Sequence, residues 1–184
     1  MSEDLESRTP CGALRAEHAG RRVRLAGWVH RRRDLGGVGF IHVRDRSGIA
    51  QVVFDPEMGE LHERAAGLRP ETVVAVEGEV VRRAADQVNA GMPTGEVEVR
   101  AGLLEVLAPT DELPLQPAGS QVPSEESRLR WRYLDLRREP MREALAFRSR
   151  VTRAIRERLH EEGFWEVETP VLTRSTPEGA RDYL

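Results

Sequence analysis

The feature that most constrains this chain is a run of five strand-like segments between Arg22 and Leu107, most of them alternating apolar with polar residues, broken once by a segment of helical character. Alternation with period two means a strand with one buried and one open face. Arg22–Arg31 places Val23, Leu25 and Val29 on one side and Arg24, Trp28 and His30 on the other. Phe40–Arg44 turns Ile41 and Val43 inward and Phe40, His42 and Arg44 outward. Ile49–Phe54 is apolar on both faces except at Gln51. Thr72–Arg83 follows, with Gly78 marking a bulge. Glu96–Leu107 has Val97 and Val99 inward and Glu96, Glu98 and Arg100 outward. His62–Leu68, between the third and fourth runs, suits a short helix stopped by Arg69-Pro70.

Five strands with a helix between the third and fourth is the order of an OB-fold barrel, which fits better than an SH3-like or unrelated five-stranded barrel. OB-folds bind oligonucleotides on the face of strands two and three and with nearby loops. The hairpin Gly27–Asp45 carries suitable chemistry. Arg31, Arg32 and Arg33 can grip phosphates, Gly36-Gly37 makes the turn, and an outward Phe40 beside Arg44 can stack on an unpaired base. The competing reading is a Phe that caps the barrel end and arginines on a solvated face. Gln51 offers a donor and an acceptor suited to a base edge; a plain exposed edge position would look the same. Glu98 is either an acceptor for a base amino group or a cross-strand partner of an arginine.

Composition narrows the classes. The net charge of −3 argues against a general polyanion binder, yet all 28 basic residues are Arg, and every charged side chain from Arg21 to Arg33 is basic. Local fields steer a nucleic acid more than the global sum does. Cys11 is the only cysteine, which rules out a disulfide framework or a Cys-based zinc site. Met1–Glu6 is acidic with no apolar core of a signal peptide, and no apolar run approaches spanning length, so a cytoplasmic location is expected.

Residues 108–123 hold Pro109, Pro114, Pro117 and Pro123 and read as a linker. A short basic helix is expected from a Ser124 cap to about Leu136, with Arg128, Arg130, Arg132, Arg137 and Arg138. A second helix is expected over Pro140–Glu162, striped by Phe147, Val151, Ala154, Ile155 and Leu159 and ended by Gly163. Phe164–Leu172 reads as a strand. That helix and strand leave apolar surface that needs a cover. The polar loop around Ser175–Tyr183 is the kind of segment that binds ligands.

Four segments in order carry a specific resemblance: Gly27–Asp45, Ile49–Pro56, Tyr133-Leu134-Asp135-Leu136-Arg137 and Thr176-Pro177-Glu178-Gly179-Ala180-Arg181-Asp182-Tyr183. Together they resemble the N-terminal portion of bacterial-type aspartyl-tRNA synthetases of class II. The asparaginyl and lysyl enzymes share the OB domain but fit the first and last segments less well.

The resemblance implies an anticodon-binding OB domain over 1–107, a hinge over 108–139 and the start of a class II α+β catalytic domain over 140–184. Phe40 would stack on an anticodon base, Gln51 would read a base edge, and Arg31, Arg33, Arg83 and Glu98 would face the anticodon. Residues 140–172 would be the subunit-pairing motif 1 of a homodimer, with Pro170 as its proline. Glu178 would meet the ammonium group of aspartate. The full-length enzyme would use ATP and Mg²⁺ to make aspartyl-adenylate and load tRNA for aspartate, with asparagine tRNA a second candidate. The ATP-binding motifs 2 and 3 are not found in these 184 residues, so no catalytic residue is assigned and the chain by itself is expected to be inactive. A stand-alone OB module that binds tRNA or single strands without catalysis is the alternative.

Overall fold

The computed structural model describes residues 8–119 and 121–172. Two compact units divide between Asp135 and Leu136. The first contains a closed barrel of five strands: β1 (Arg22–Leu35), β2 (Val38–Asp45), β3 (Gly48–Phe54), β4 (Val73–Arg82) and β5 (Val97–Ala108). The strands run β1-β2-β3-β5-β4 around the barrel, and β4 pairs back onto β1. All neighbours are antiparallel except β3 and β5, which meet in parallel through Val52 opposite Val99 and Val53 opposite Arg100. Helix α1 (Glu60–Ala66) lies between β3 and β4, as the OB order requires.

The alternation in the sequence is the cause of this closure. Leu25, Val29, Ile41, Val43, Val52, Phe54, Val74, Val76, Val80, Val97 and Val99 are each at most 1% exposed and fill the interior. Each such side chain contributes on the order of 1.5–3 kcal/mol by leaving water. Ala65 of α1 and Leu68 just after it join the same cluster. The helix starts two residues before the expected His62, because Glu60 and Glu63 suit the positive end of its first turn.

Cys11 is fully buried, and burial, reinforced by nearby Asp45, pushes its thiol up to about 12. It is a small apolar filler rather than a nucleophile. Gly78 sits at an irregularity in the β4–β5 register, as its position in the sequence suggests. A Cβ there would lie 2.2 Å from the Arg100 carbonyl oxygen, so the strands approach too closely for any side chain.

Beyond the barrel, the expected single helix from Ser124 is two pieces, α2 (Glu125–Arg130) and α3 (Arg132–Asp135), broken at Trp131. Ser124 caps α2 by accepting from the Ser127 N–H at 3.3 Å. The break lets Asp135, wholly buried, accept from Arg128 Nε at 3.1 Å and Arg132 Nη1 at 2.9 Å. A continuous helix would carry these partners at other angles around its axis.

In the second unit, α4 (Glu139–Glu161) begins with Pro140 in its first turn. It ends in a Schellman motif: Gly163 has φ +87, its N–H donates to the His160 carbonyl, and the Phe164 N–H donates to that of Leu159. The stripe of Phe147, Val151, Ile155 and Leu159 is exposed. Phe164–Leu172 is not a strand: no ladder forms, because no neighbouring strand is present among the described residues to pair with it. Pro170 lies in this open segment. Glu178 lies outside the described residues.

Candidate nucleic-acid interface

The β1–β2 hairpin turns at Gly36-Gly37, with φ +63 and +88, the two positive values a type I′ turn demands. Asp34 steadies it by accepting the Gly37 N–H at 3.1 Å. Before that turn the register shifts: Val29 opposes Val43, but Arg31 opposes His42, so His30 is a bulge. An inserted residue exchanges the faces of everything beyond it. Arg31 and Arg33 therefore share the outer face with His42 and Phe40, while Arg32 is set opposite inward-pointing Ile41. The arginine triplet is divided between two faces rather than forming one cationic block.

Cross-strand pairing arranges the outer face of β1, β2 and β3 in three rows. The first is Trp28, Arg44 and Ile49, the second Arg31, His42 and Gln51, the third Arg33, Phe40 and Val53. Phe40 is half-buried, with one cationic side chain opposite it on β1. This is the geometry of a stacking platform beside a phosphate grip.

The second row continues as a chain of polar contacts around the barrel. His42 Nε2 lies 3.2 Å from Gln51 Oε1, and Gln51 Nε2 donates to Glu98 Oε2 at 2.8 Å. Glu98 Oε2 lies 3.5 Å from Arg83 Nε, which also donates to the Val97 carbonyl at 3.2 Å. The Arg83 side chain is only 4% exposed and that of Glu98 17%. Arg83 Nη2 is buried with no partner among the described residues. Burial pulls the Arg83 guanidinium pKa down and Glu98 pulls it back up. Burial likewise lowers the His42 pKa; the hydrogen bond to Gln51 opposes this, and the charges of Arg33, Arg83 and Arg31 add to it.

Of the residues singled out in the sequence, Gln51, Glu98 and Arg83 are thus in one cluster, with Phe40, Arg31 and Arg33 in the same or the adjoining row. Sequence reasoning missed His42 as a member. Its outward position was visible from alternation, but its placement opposite Gln51 depends on the hairpin register.

Arg44 departs from expectation. It is on the outer face but 6% exposed, and it is not a free cation beside Phe40. Its Nη2 donates to both carboxylate oxygens of Glu71 at 2.8 and 2.9 Å. Its Nη1 lies 3.0 Å from His30 Nδ1, and the guanidinium stands 5.9 Å from the Trp28 ring centroid. Glu71, 4% exposed, adopts φ +64 to reach it. A non-glycine residue in that region costs of order 1 kcal/mol or more, which the paired charges offset. Arg44 therefore ties the bulge residue His30 to Glu71.

Two family models match separate stretches of the chain. Residues 23–107 match the family model of the OB-fold nucleic acid binding domain, and residues 124–184 match that of the class II tRNA synthetases (D, K and N). The chain is 59% identical over 173 residues to the aspartate–tRNA(Asp/Asn) ligase of Rubrobacter xylanophilus, covering 94% of this chain and 29% of that protein. It is 50% identical over 173 residues to the ligase of the same name from Parvibaculum lavamentivorans, covering 94% of this chain and 28% of that protein. Among solved structures, asparaginyl-tRNA synthetase from Pyrococcus horikoshii, complexed with asparaginyl-adenylate, superposes with a TM-score of 0.81 at 31% identity, covering 94% of this chain and 38% of that one. The chain spans under a third of the length of these curated relatives.

Proposed function

Because the chain belongs to the aspartate–tRNA ligases of class II, with an OB-fold nucleic-acid-binding domain followed by the start of a class II synthetase domain, we propose that the outer face of β1–β3 binds the anticodon of the tRNA its full-length enzyme charges. The observation that carries this reading is the grouping on one face of a stacking ring, two cations and a polar cluster. Phe40 stacks on one base. Gln51 meets a base edge with its amide, Glu98 and Arg83 flank it, and Arg31 and Arg33 hold phosphates. The partnerless Arg83 Nη2 supports this, since a buried donor without an acceptor costs free energy that a ligand oxygen would recover.

The whole enzyme would join aspartate to tRNA through aspartyl-adenylate, and the names of the two bacterial relatives extend the candidates to asparagine tRNA. The class II family implies ATP and Mg²⁺ in that enzyme. The described residues include no group of three or more His, Cys, Asp and Glu able to hold a metal ion. Within this chain the part nearest that chemistry would be Glu178, whose carboxylate suits the ammonium group of aspartate. Residues 140–172 would pair two subunits as motif 1, with Pro170 in the motif. No helix among the described residues is long and apolar enough to cross a membrane, and a cytoplasmic location fits the function.

Binding of an RNA hairpin with the aspartate anticodon loop tests the reading. Gln51→Ala weakens binding of that hairpin more than binding of hairpins with a replaced anticodon base. Arg31→Ala weakens all of them about equally and lowers the salt slope by about one. Equal losses in Gln51→Ala across the hairpins would remove the case for base readout.

A further inference from the structure

We propose that His42 is a positioning residue that holds the Gln51 amide in one of its two orientations and so sets which base edge Gln51 accepts, an inference that rests on the anticodon reading of this face. A primary amide has two ends of nearly equal shape, one that donates and one that accepts. Turned by 180°, the same side chain offers the opposite pattern to a base. A residue that reads a base edge must be denied that freedom.

The contacts around Gln51 deny it from both sides. Glu98 presents its Oε2 as an acceptor, with the Arg83 guanidinium on its other side at 3.5 Å. The end of the amide 2.8 Å from Glu98 must therefore be the NH₂. The carbonyl end then faces His42, where it can only accept, so His42 Nε2 must carry a proton. A neutral imidazole with its proton on Nε2 meets this demand. The depressed pKa of His42, due first to burial and then to the surrounding Arg33, Arg83 and Arg31, keeps the ring neutral.

The two clamps agree: donor at one end, acceptor at the other. Each leaves one further valence free, a second N–H on Gln51 Nε2 and a second lone pair on Oε1. Gln51 thus presents a donor and an acceptor in fixed order. His42 and Gln51 are on neighbouring strands in direct register, so the ring cannot be replaced from elsewhere on the face. His42 touches the base only through Gln51.

The test is a set of three substitutions in the 184-residue chain, measured against the cognate hairpin and hairpins with each anticodon base replaced in turn. His42→Leu removes the donor and lowers the ratio of cognate to substituted binding by about 3- to 10-fold, the worth of one hydrogen bond. His42→Gln restores a side-chain N–H at similar reach and keeps the ratio within about twofold of the wild type. His42→Glu puts an acceptor against the amide oxygen, so the clamps disagree, and the loss is at least that of His42→Leu. In the free chain, the side-chain amide proton resonances of Gln51 shift in His42→Leu and return toward their positions in His42→Gln.

His42→Leu and His42→Gln behaving alike in both readouts would overturn the positioning role. So would an equal loss on every hairpin. If wild type shows no preference among hairpins, the anticodon reading itself fails; if wild type discriminates and His42→Leu does so equally well, only the role of His42 falls.

Discussion

His30 shows how one side chain can link stability, register and pH. Burial first, and then the charges of Arg44, His42 and Arg31, lower its pKa from 6.5 to about 4 in the folded barrel, with Glu71 opposing. The ring is neutral, and its Nδ1 accepts from Arg44. Between pH 6.5 and about 4 the unfolded chain holds a proton at this site and the folded chain does not. Stability is therefore full above pH 6.5 and declines as the pH falls toward 4. The urea midpoint should drop across that window, and His30→Gln should flatten part of the drop; His42, also lowered, supplies a further part. An unchanged slope in His30→Gln would show that His30 is not a source. Asp45 acts in a different range. Burial raises its pKa, but hydrogen bonds from the Ser47 hydroxyl and from the N–H groups of Cys11, Ser47 and Gly48 outweigh that and hold it below 3.8. Its contribution is lost only in stronger acid.

Among the elements, β4 and β5 are the most sensitive to crowding. Gly78→Ala places a methyl group 2.2 Å from the Arg100 carbonyl oxygen and 2.7 Å from Val99 Cγ1, and the oxygen belongs to backbone that cannot turn aside. The expected loss is about 1–3 kcal/mol. Gly102→Ala, on the facing strand, meets nothing nearer than the Glu77 carbonyl oxygen at 3.7 Å and should leave the urea midpoint unchanged or slightly raised. Equal effects of the two would contradict the close approach. Gly78 was legible in the sequence because a glycine that interrupts a strand pattern marks a bulge or a close approach of two backbones. The bulge at His30 was not, since no glycine marks it and the residues after it, Arg31, Arg32, Arg33 and Asp34, are all polar and carry no alternation that a shift of face would break. Glu71 was equally hidden: nothing about a glutamate announces a positive φ, which here follows from the pull of buried Arg44. The outward set of Phe40, Gln51 and Glu98 could be read from period two alone. Their meeting in one patch needed the register across three strands, and that is a property of pairing, not of any single run. Phe164–Leu172 failed as a strand for the same reason.

For the molecule as a whole, the apolar face of α4 sets behaviour in solution. Phe147 is 63% exposed and Ile155 55%, and Trp165 beyond the helix is 88% exposed. Contiguous surface of this kind favours association. The double substitution Phe147→Glu with Ile155→Glu should reduce self-association in sedimentation while leaving hairpin binding intact, because the barrel lies in a separate compact unit. Loss of hairpin binding in that variant would show that the two units are coupled. The barrel carries a different dependence. Its parallel closure is narrow, two residue pairs between β3 and β5, and the contact from Gln51 to Glu98 crosses that seam. The surface proposed to read a base therefore exists only while the cylinder is shut. RNA bound there would act as a latch: by mass action it would withdraw population from every opened form, and the tightness of recognition would become a measure of how seldom the seam comes apart.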